Sequence, residues 1–181
     1  MILLFGVVLG ILAGYIGKGR LSGFAVEGAV HGIWLPVAAF GAKLALRPLS
    51  GWIPDGWLVV VSGILTYGLT GLFFLFNRKY RAGACVGGAG LLCNLLVMAV
   101  NGFRMPVSPS VLQVEDFMAA TGGQVEKLNY FIAQPDTPLL FLGDIFYCPW
   151  PVVQGFFSVG DILLALGVGM LIFAIMRKAR P

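Results

Sequence analysis

The sequence predicts an all-α integral membrane protein. It has five transmembrane helices, an outside N-terminus, a cytoplasmic C-terminus, and one extracytoplasmic loop holding an amphipathic helix and a short re-entrant or interfacial segment. Three observations carry this reading. The 181 residues are 59% hydrophobic and 11% charged, with mean hydropathy +0.92, whereas soluble domains carry roughly a quarter charged residues. The apolar residues fall in five stretches, and a span needs about 20 of them, so one domain of this length has room for five spans and a modest loop. The charge alternates: Lys18, Arg20, Arg78, Lys79, Arg81, Arg177, Lys178 and Arg180 fall on one set of connections. Asp55, Glu115, Asp116, Glu126, Asp136 and Asp144 fall on the other.

Span one covers about 2–17. No basic residue precedes it and Lys18 and Arg20 follow, the reverse of a secretory signal, so it reads as a retained anchor. Span two covers about 30–46, with Lys43 and Arg47 able to snorkel to the interface. Pro48, Gly51, Pro54 and Gly56 mark a turn-rich loop before span three, about 57–76. The tight basic loop Asn77-Arg78-Lys79-Tyr80-Arg81 leads to span four, about 83–103, and span five covers 159–176. With the N-terminus outside, the basic excess lies on the cytoplasmic side, as the positive-inside rule requires. The expected home is a bacterial cytoplasmic membrane.

The net charge of +4 flanks the spans and forms no patch, which speaks against nucleic acid. Cys85 and Cys93 lie eight residues apart on one helix, too far to bridge, and Cys148 has no partner on its side. With His31 the only histidine, no metal-ligand spacing exists, and no cofactor is implied. His31 suits an interfacial or interhelical hydrogen bond.

The loop, 104–157, divides in two. Ser108 can cap a helix beginning at Pro109, with Val111, Val114, Phe117 and Met118 as its apolar stripe, Glu115 and Asp116 on its wet side, and Thr121-Gly122-Gly123 as its stop. The apolar run 139–146 is too short to cross a bilayer as a helix, which makes 138–150 re-entrant or interfacial.

Gly6, Gly10 and Gly14 form a doubled small-xxx-small row, repeated singly at Gly28/Gly32 and Gly83/Gly87. Such rows let helix backbones approach closely in lipid. The row serves packing within the bundle or, as the sharper alternative, a homodimer through span one.

Four polar pieces converge on the outer face: Asn101 to Ser108, Pro135-Asp136-Thr137, Gly143-Asp144 and Ser158-Val159-Gly160-Asp161. Asp161 enters the apolar zone, where an ionised group costs on the order of 2–3 kcal/mol near the centre. Ser158 and Asp161 have capping-box spacing, which alone accounts for an acid there. The candidate catalytic pair is Asp144 and Asp161. The candidate ligand-binding residues are Asn101, Arg104, Asp136 and Ser158, with Arg104 as the cationic centre.

The blocks N-G-F-R-M-P-V-S (101–108), P-D-T-P-L-L-F-L-G-D-I (135–145) and F-S-V-G-D-I-L-L-A-L-G (157–167) resemble an uncharacterised family of small bacterial multi-pass membrane proteins, a domain of unknown function. That resemblance implies no activity. A weaker one is to lipoprotein signal peptidase, a membrane aspartyl protease whose last span begins F-N-x-A-D, similar to Phe157 through Asp161. Gly87 to Gly90 with Asn94 is similar to its preceding span. Val97 stands where that family has its other aspartate, so only Asp144 can supply a second carboxylate.

Two functions follow. One is a non-catalytic accessory, scaffold or ligand-sensing component, its partners being membrane lipids, a lipid-linked ligand or a membrane protein. The other is a membrane-embedded hydrolase in which Asp144 and Asp161 divide the acid and base roles while Arg104 or Asn101 steadies an oxyanion or lipid phosphate.

Overall fold

A computed structural model describes residues 2–49, 52–112, 129–150 and 154–179. All five apolar stretches are helical: α1 (Leu3–Ile16), α2 (Trp34–Leu46), α3 (Asp55–Phe76), α4 (Arg81–Val100) and, after the loop, α6 (Val159–Met176). Three are long and apolar enough to cross a membrane: Gly56–Phe76, Arg81–Val100 and Val159–Met176. This is a membrane protein. The expected count of five spans meets a limit of length. The 14 residues of α1 and 13 of α2 rise only about 20 Å at 1.5 Å per residue, against a hydrocarbon core of about 30 Å.

Helix α6 is the centre of the bundle, with α1 on one side and α4 on the other, then α3 and α2 beyond α4. Glycines set both central interfaces. A Cβ on Gly10 would lie 2.7 Å from the Gly169 carbonyl oxygen, and Gly6 and Gly14 abut Ala165 and Met176. The small-residue row of α1 is thus occupied by α6 of the same chain. On the other side a Cβ on Gly83 would lie 2.9 Å from the Gly167 carbonyl oxygen, and Gly87 and Gly90 abut Phe74 and Gly160. Backbones this close maximise dispersion contact, the main attraction available between helices in lipid.

One end of the bundle is basic. There Asn77, fully buried at the end of α3, accepts from the His31 amide (3.0 Å) and donates to the carbonyls of His31 (2.8 Å) and Phe73 (2.8 Å). Tyr80 donates to the Ala29 carbonyl (2.6 Å), and Lys79 and Lys178 sit over its ring. His31 therefore acts in an interhelical clamp through its backbone, with Lys79 Nζ 3.5 Å from its Nδ1.

The other end corrects the all-α expectation. A four-stranded sheet caps it, ordered β2 (Tyr130–Ile132), β1 (Met105–Val107), β3 (Asp144–Cys148), β4 (Gly155–Ser158). Strand β1 is parallel to β2 and β3, and β3 is antiparallel to β4. The segment expected to be re-entrant is a 3₁₀ turn, Leu140–Leu142, running into β3. The reason is backbone satisfaction. So short a run cannot complete a spanning helix, whereas its last residues, as β3, pair with β4 along the strand and with β1 at Asp144. Stacked Phe146–Phe157 (5.3 Å) and tilted Tyr147–Phe156 (5.9 Å) rings hold the β3–β4 hairpin. Of the expected amphipathic helix only a first turn, α5 (Pro109–Leu112), is described. Val114, Glu115, Asp116, Phe117, Met118 and the Thr121-Gly122-Gly123 stop lie outside the described residues.

Candidate functional site: an acid-lined cavity

The three blocks singled out in the sequence become adjacent strands. Block 101–108 is the end of α4 and β1, 135–145 leads into β3, and 157–167 is the end of β4 and the start of α6. Helix α4 stops because Gly102 (φ +65°) and Phe103 (φ +60°) turn left-handed, and the Asn101 and Phe103 amides fold back on the Met98 carbonyl at 3.0 and 2.7 Å. Gly143 lets β3 start against β1: a Cβ there would lie 2.6 Å from the Pro106 carbonyl oxygen.

Sheet register then places Asp144. It pairs with Ser158 across β3–β4 and with Val107 across β1–β3. Its carbonyl accepts from the Ser108 amide at 3.0 Å. Ser158 is the N-cap of α6. Its Oγ accepts from the Asp161 amide (3.0 Å), and the Asp161 carboxylate accepts from the Ser158 amide (3.2 Å). The capping box read from the sequence is complete.

Asn94 of α4 closes this box into a knot. Its Nδ2 donates to Asp161 Oδ1 and its Oδ1 accepts from Ser158 Oγ, both at 2.7 Å. The carboxylate has no hydrogen to give, so the amide's orientation is fixed by chemistry. Gly160 exists for this contact, since a Cβ there would collide with Asn94 Oδ1. Asn94 and Ser158 are buried, sealed between α4 and α6.

Asp144 and Asp161 line one cavity of about 710 Å³ between the α2–α3 pair and helices α4 and α6, under the sheet. Lys43 of α2 lines it with them, as do Tyr67, Tyr130, Asn129 and Gln154. Its deeper walls are apolar: Phe73, Phe74, Leu91, Leu164 and Val168. Asp144 is 4% exposed. Burial, and after it the charge of Asp161, push its carboxyl up to about 8, while Lys43 pulls the other way. Below that pH Asp144 holds its proton.

The remaining predicted site residues lie outside the cavity lining. Asn101 donates to the carbonyls of Val97 (2.8 Å) and Pro138 (3.0 Å), tying α4 to the turn before β3. Arg104 donates from Nη2 to the Tyr130 carbonyl (2.7 Å) and lies 5.7 Å from the Phe131 ring centre. Its Nε is buried with no partner among the described residues. Asp136 is exposed on the turn closed by the Thr137 amide and the Gln134 carbonyl (3.0 Å). None of these three lines the cavity, and Ser158 is locked inside the knot. The cation beside the acids is Lys43. Sequence reasoning missed it, together with Tyr67. A signal was present: Ser62, Thr66 and Thr70 recur at four-residue spacing beside Tyr67, a polar stripe on an otherwise apolar span.

No curated protein and no solved structure matches the chain. A family model does match, over residues 29–173, which takes in Asn94, Asp144, Ser158 and Asp161 and all but the first helix. The chain belongs to DUF5317, a family of unknown function.

Proposed function

We propose that this chain is a multi-pass protein of the bacterial cytoplasmic membrane that binds a membrane-soluble ligand in the acid-lined cavity, as a non-catalytic sensing or accessory component. The observation that carries this reading is the composition of the cavity. A polar head formed by Asp144, Asp161, Lys43 and Tyr130 stands over apolar walls, between two pairs of helices. That is the form of a site for a ligand with a polar and an apolar end. The state of Asp161 supports binding over catalysis. Its oxygens already accept from the Ser158 amide and the Asn94 side chain, an arrangement that holds a carboxylate still.

The proposed orientation puts the sheet and cavity on the extracytoplasmic face and the basic end in the cytoplasm, on the strength of Lys18, Arg20, Arg78, Lys79, Arg81, Arg177 and Lys178. In a background without native cysteines, an impermeant thiol reagent on intact cells should label Asp136→Cys and spare Arg78→Cys. The reverse pattern would invert the topology.

The binding test is extraction into native-lipid discs, followed by mass spectrometry of what travels with the protein. Wild type should retain an enriched amphiphile that Thr70→Trp, which fills the cavity, loses. Identical profiles would end the reading.

A second reading, a carboxylate-pair hydrolase, draws on Asp144 holding its proton beside Asp161, the division of roles that acid–base catalysis needs. It predicts that Asp161→Asn folds and abolishes function in cells. A folded, complementing Asp161→Asn protein would exclude it.

A further inference from the structure

The charge inside the cavity selects among polar heads. Its described lining holds two acid side chains, Asp144 and Asp161, and one ammonium, Lys43, which also lies 5.9 Å from the Tyr130 ring centre. The other polar lining groups are neutral phenols, amides and hydroxyls. A phosphate, sulfate or carboxylate head would sit against two acid side chains, with Lys43 as the one cation of the described lining. A protonated amine can take the place of the proton that burial holds on Asp144 and donate hydrogen bonds to both acids. Each Asp161 oxygen retains acceptor capacity beyond its one hydrogen bond. Tyr67 and Tyr130 add ring faces suited to a cation.

The tail is set by depth. Along α3 the lining runs from Ser62 to Phe74, about 18 Å at 1.5 Å per residue. Partway down, Thr66 Oγ1 is buried with no hydrogen-bond partner among the described residues, an unmet polar group in the stripe it shares with Ser62 and Thr70.

We propose that the cavity takes a single-chain amphiphile with a protonated amine head, the amine between Asp144 and Asp161 and the chain against Phe73, Phe74 and Leu164. This rests on the ligand-binding reading above. Its head charge is tested separately from the existence of the site. Purified protein in phosphatidylcholine nanodiscs at pH 7 is titrated with dodecylamine, dodecanol and dodecyl phosphate, and thermal stabilisation is followed. Dodecylamine should act at a concentration at least tenfold below either of the others, and Asp144→Asn should remove that preference. Lys43→Gln, which subtracts the competing cation, should widen it, and gives a second reading if Asp144→Asn fails to fold. Equal or stronger action by the phosphate or the alcohol would overturn the amine assignment and leave the site standing. Stabilisation of wild type and Thr70→Trp alike by all three would overturn the site itself.

Discussion

Asn77 and Asn94 do the same work at opposite ends of the bundle, with different partners. Both are buried, at 0% and 2% exposure, and both tie one helix to a segment far away in sequence. Asn77 binds only backbone: the amide and carbonyl of His31 and the carbonyl of Phe73. Asn94 binds two side chains, one of them a carboxylate that borders the cavity. The first arrangement closes a corner and can do no more. The second holds an acid in place at a cavity wall. The difference teaches where function can reside: a polar group buried in apolar surroundings is structural when all its partners are sealed, and a candidate for function when one of them faces open space.

That contrast can be broken in graded steps. Gly160→Ala should have the largest effect, because the added carbon collides with Asn94 Oδ1 inside a backbone-to-backbone contact that cannot give way. The expected loss is about 3 kcal/mol or more, read as a collapse of the thermal midpoint in detergent. An unchanged midpoint would show that the knot is not tightly packed.

Asn94→Ala should cost about 2 kcal/mol and Asn77→Ala about 1 kcal/mol, since only the former removes a hydrogen bond donated to a carboxylate. Only Asn94→Ala should also weaken occupancy of the cavity. Equal effects of the two variants on ligand retention would erase the distinction drawn between the two ends.

Asp144 adds a pH signature that the basic end lacks. Between about pH 4 and 8 the folded protein keeps the Asp144 proton and the unfolded chain has released it. The contribution of Asp144 to stability is therefore fully present below about pH 4, is lost as pH rises to about 8, and is constant above, with a slope near 1.4 kcal/mol per pH unit for one proton. Asp144→Asn should flatten that slope in a pH series of unfolding midpoints. A wild-type profile that rises across this window would contradict the burial described for Asp144.

Arg104→Lys should have the smallest effect, about 0.5–1 kcal/mol. It trades a planar group packed near the Phe131 ring and bonded to the Tyr130 carbonyl for a flexible one. Ligand retention should be unaffected, because Arg104 does not line the cavity.

Much of this was legible in the chain, and the gaps have physical causes. The five helices follow the apolar stretches, because the hydropathy signal is large and local. Ser158 and Asp161 announced their capping box through spacing alone. The sheet was hidden because its strands are three to five residues long and β1, buried on both faces, shows no alternation for a period of two to reveal. The convergence of Asp144 with Asp161 was expected from shared membrane depth, but its cause, the Asp144–Ser158 register, is a long-range pairing. Arg104 was read as the cation beside the acids, whereas the structure lines the cavity with Lys43; a lysine near a helix end reads as snorkelling, and nothing local shows that α2 faces a cavity.

The space between Asp161 and Phe73 is expected to hold an amphiphile in the membrane. This occupancy is tested most directly by p-benzoylphenylalanine in place of Phe73, irradiated in intact membranes and analysed by intact-protein mass spectrometry, with the same residue in place of Leu72 as the outward-facing control. The account predicts one predominant single-chain adduct at position 73, lost when Thr70→Trp is added, and a spread of bulk phospholipids at position 72. The same bulk mixture at both positions, unchanged by Thr70→Trp, would contradict it.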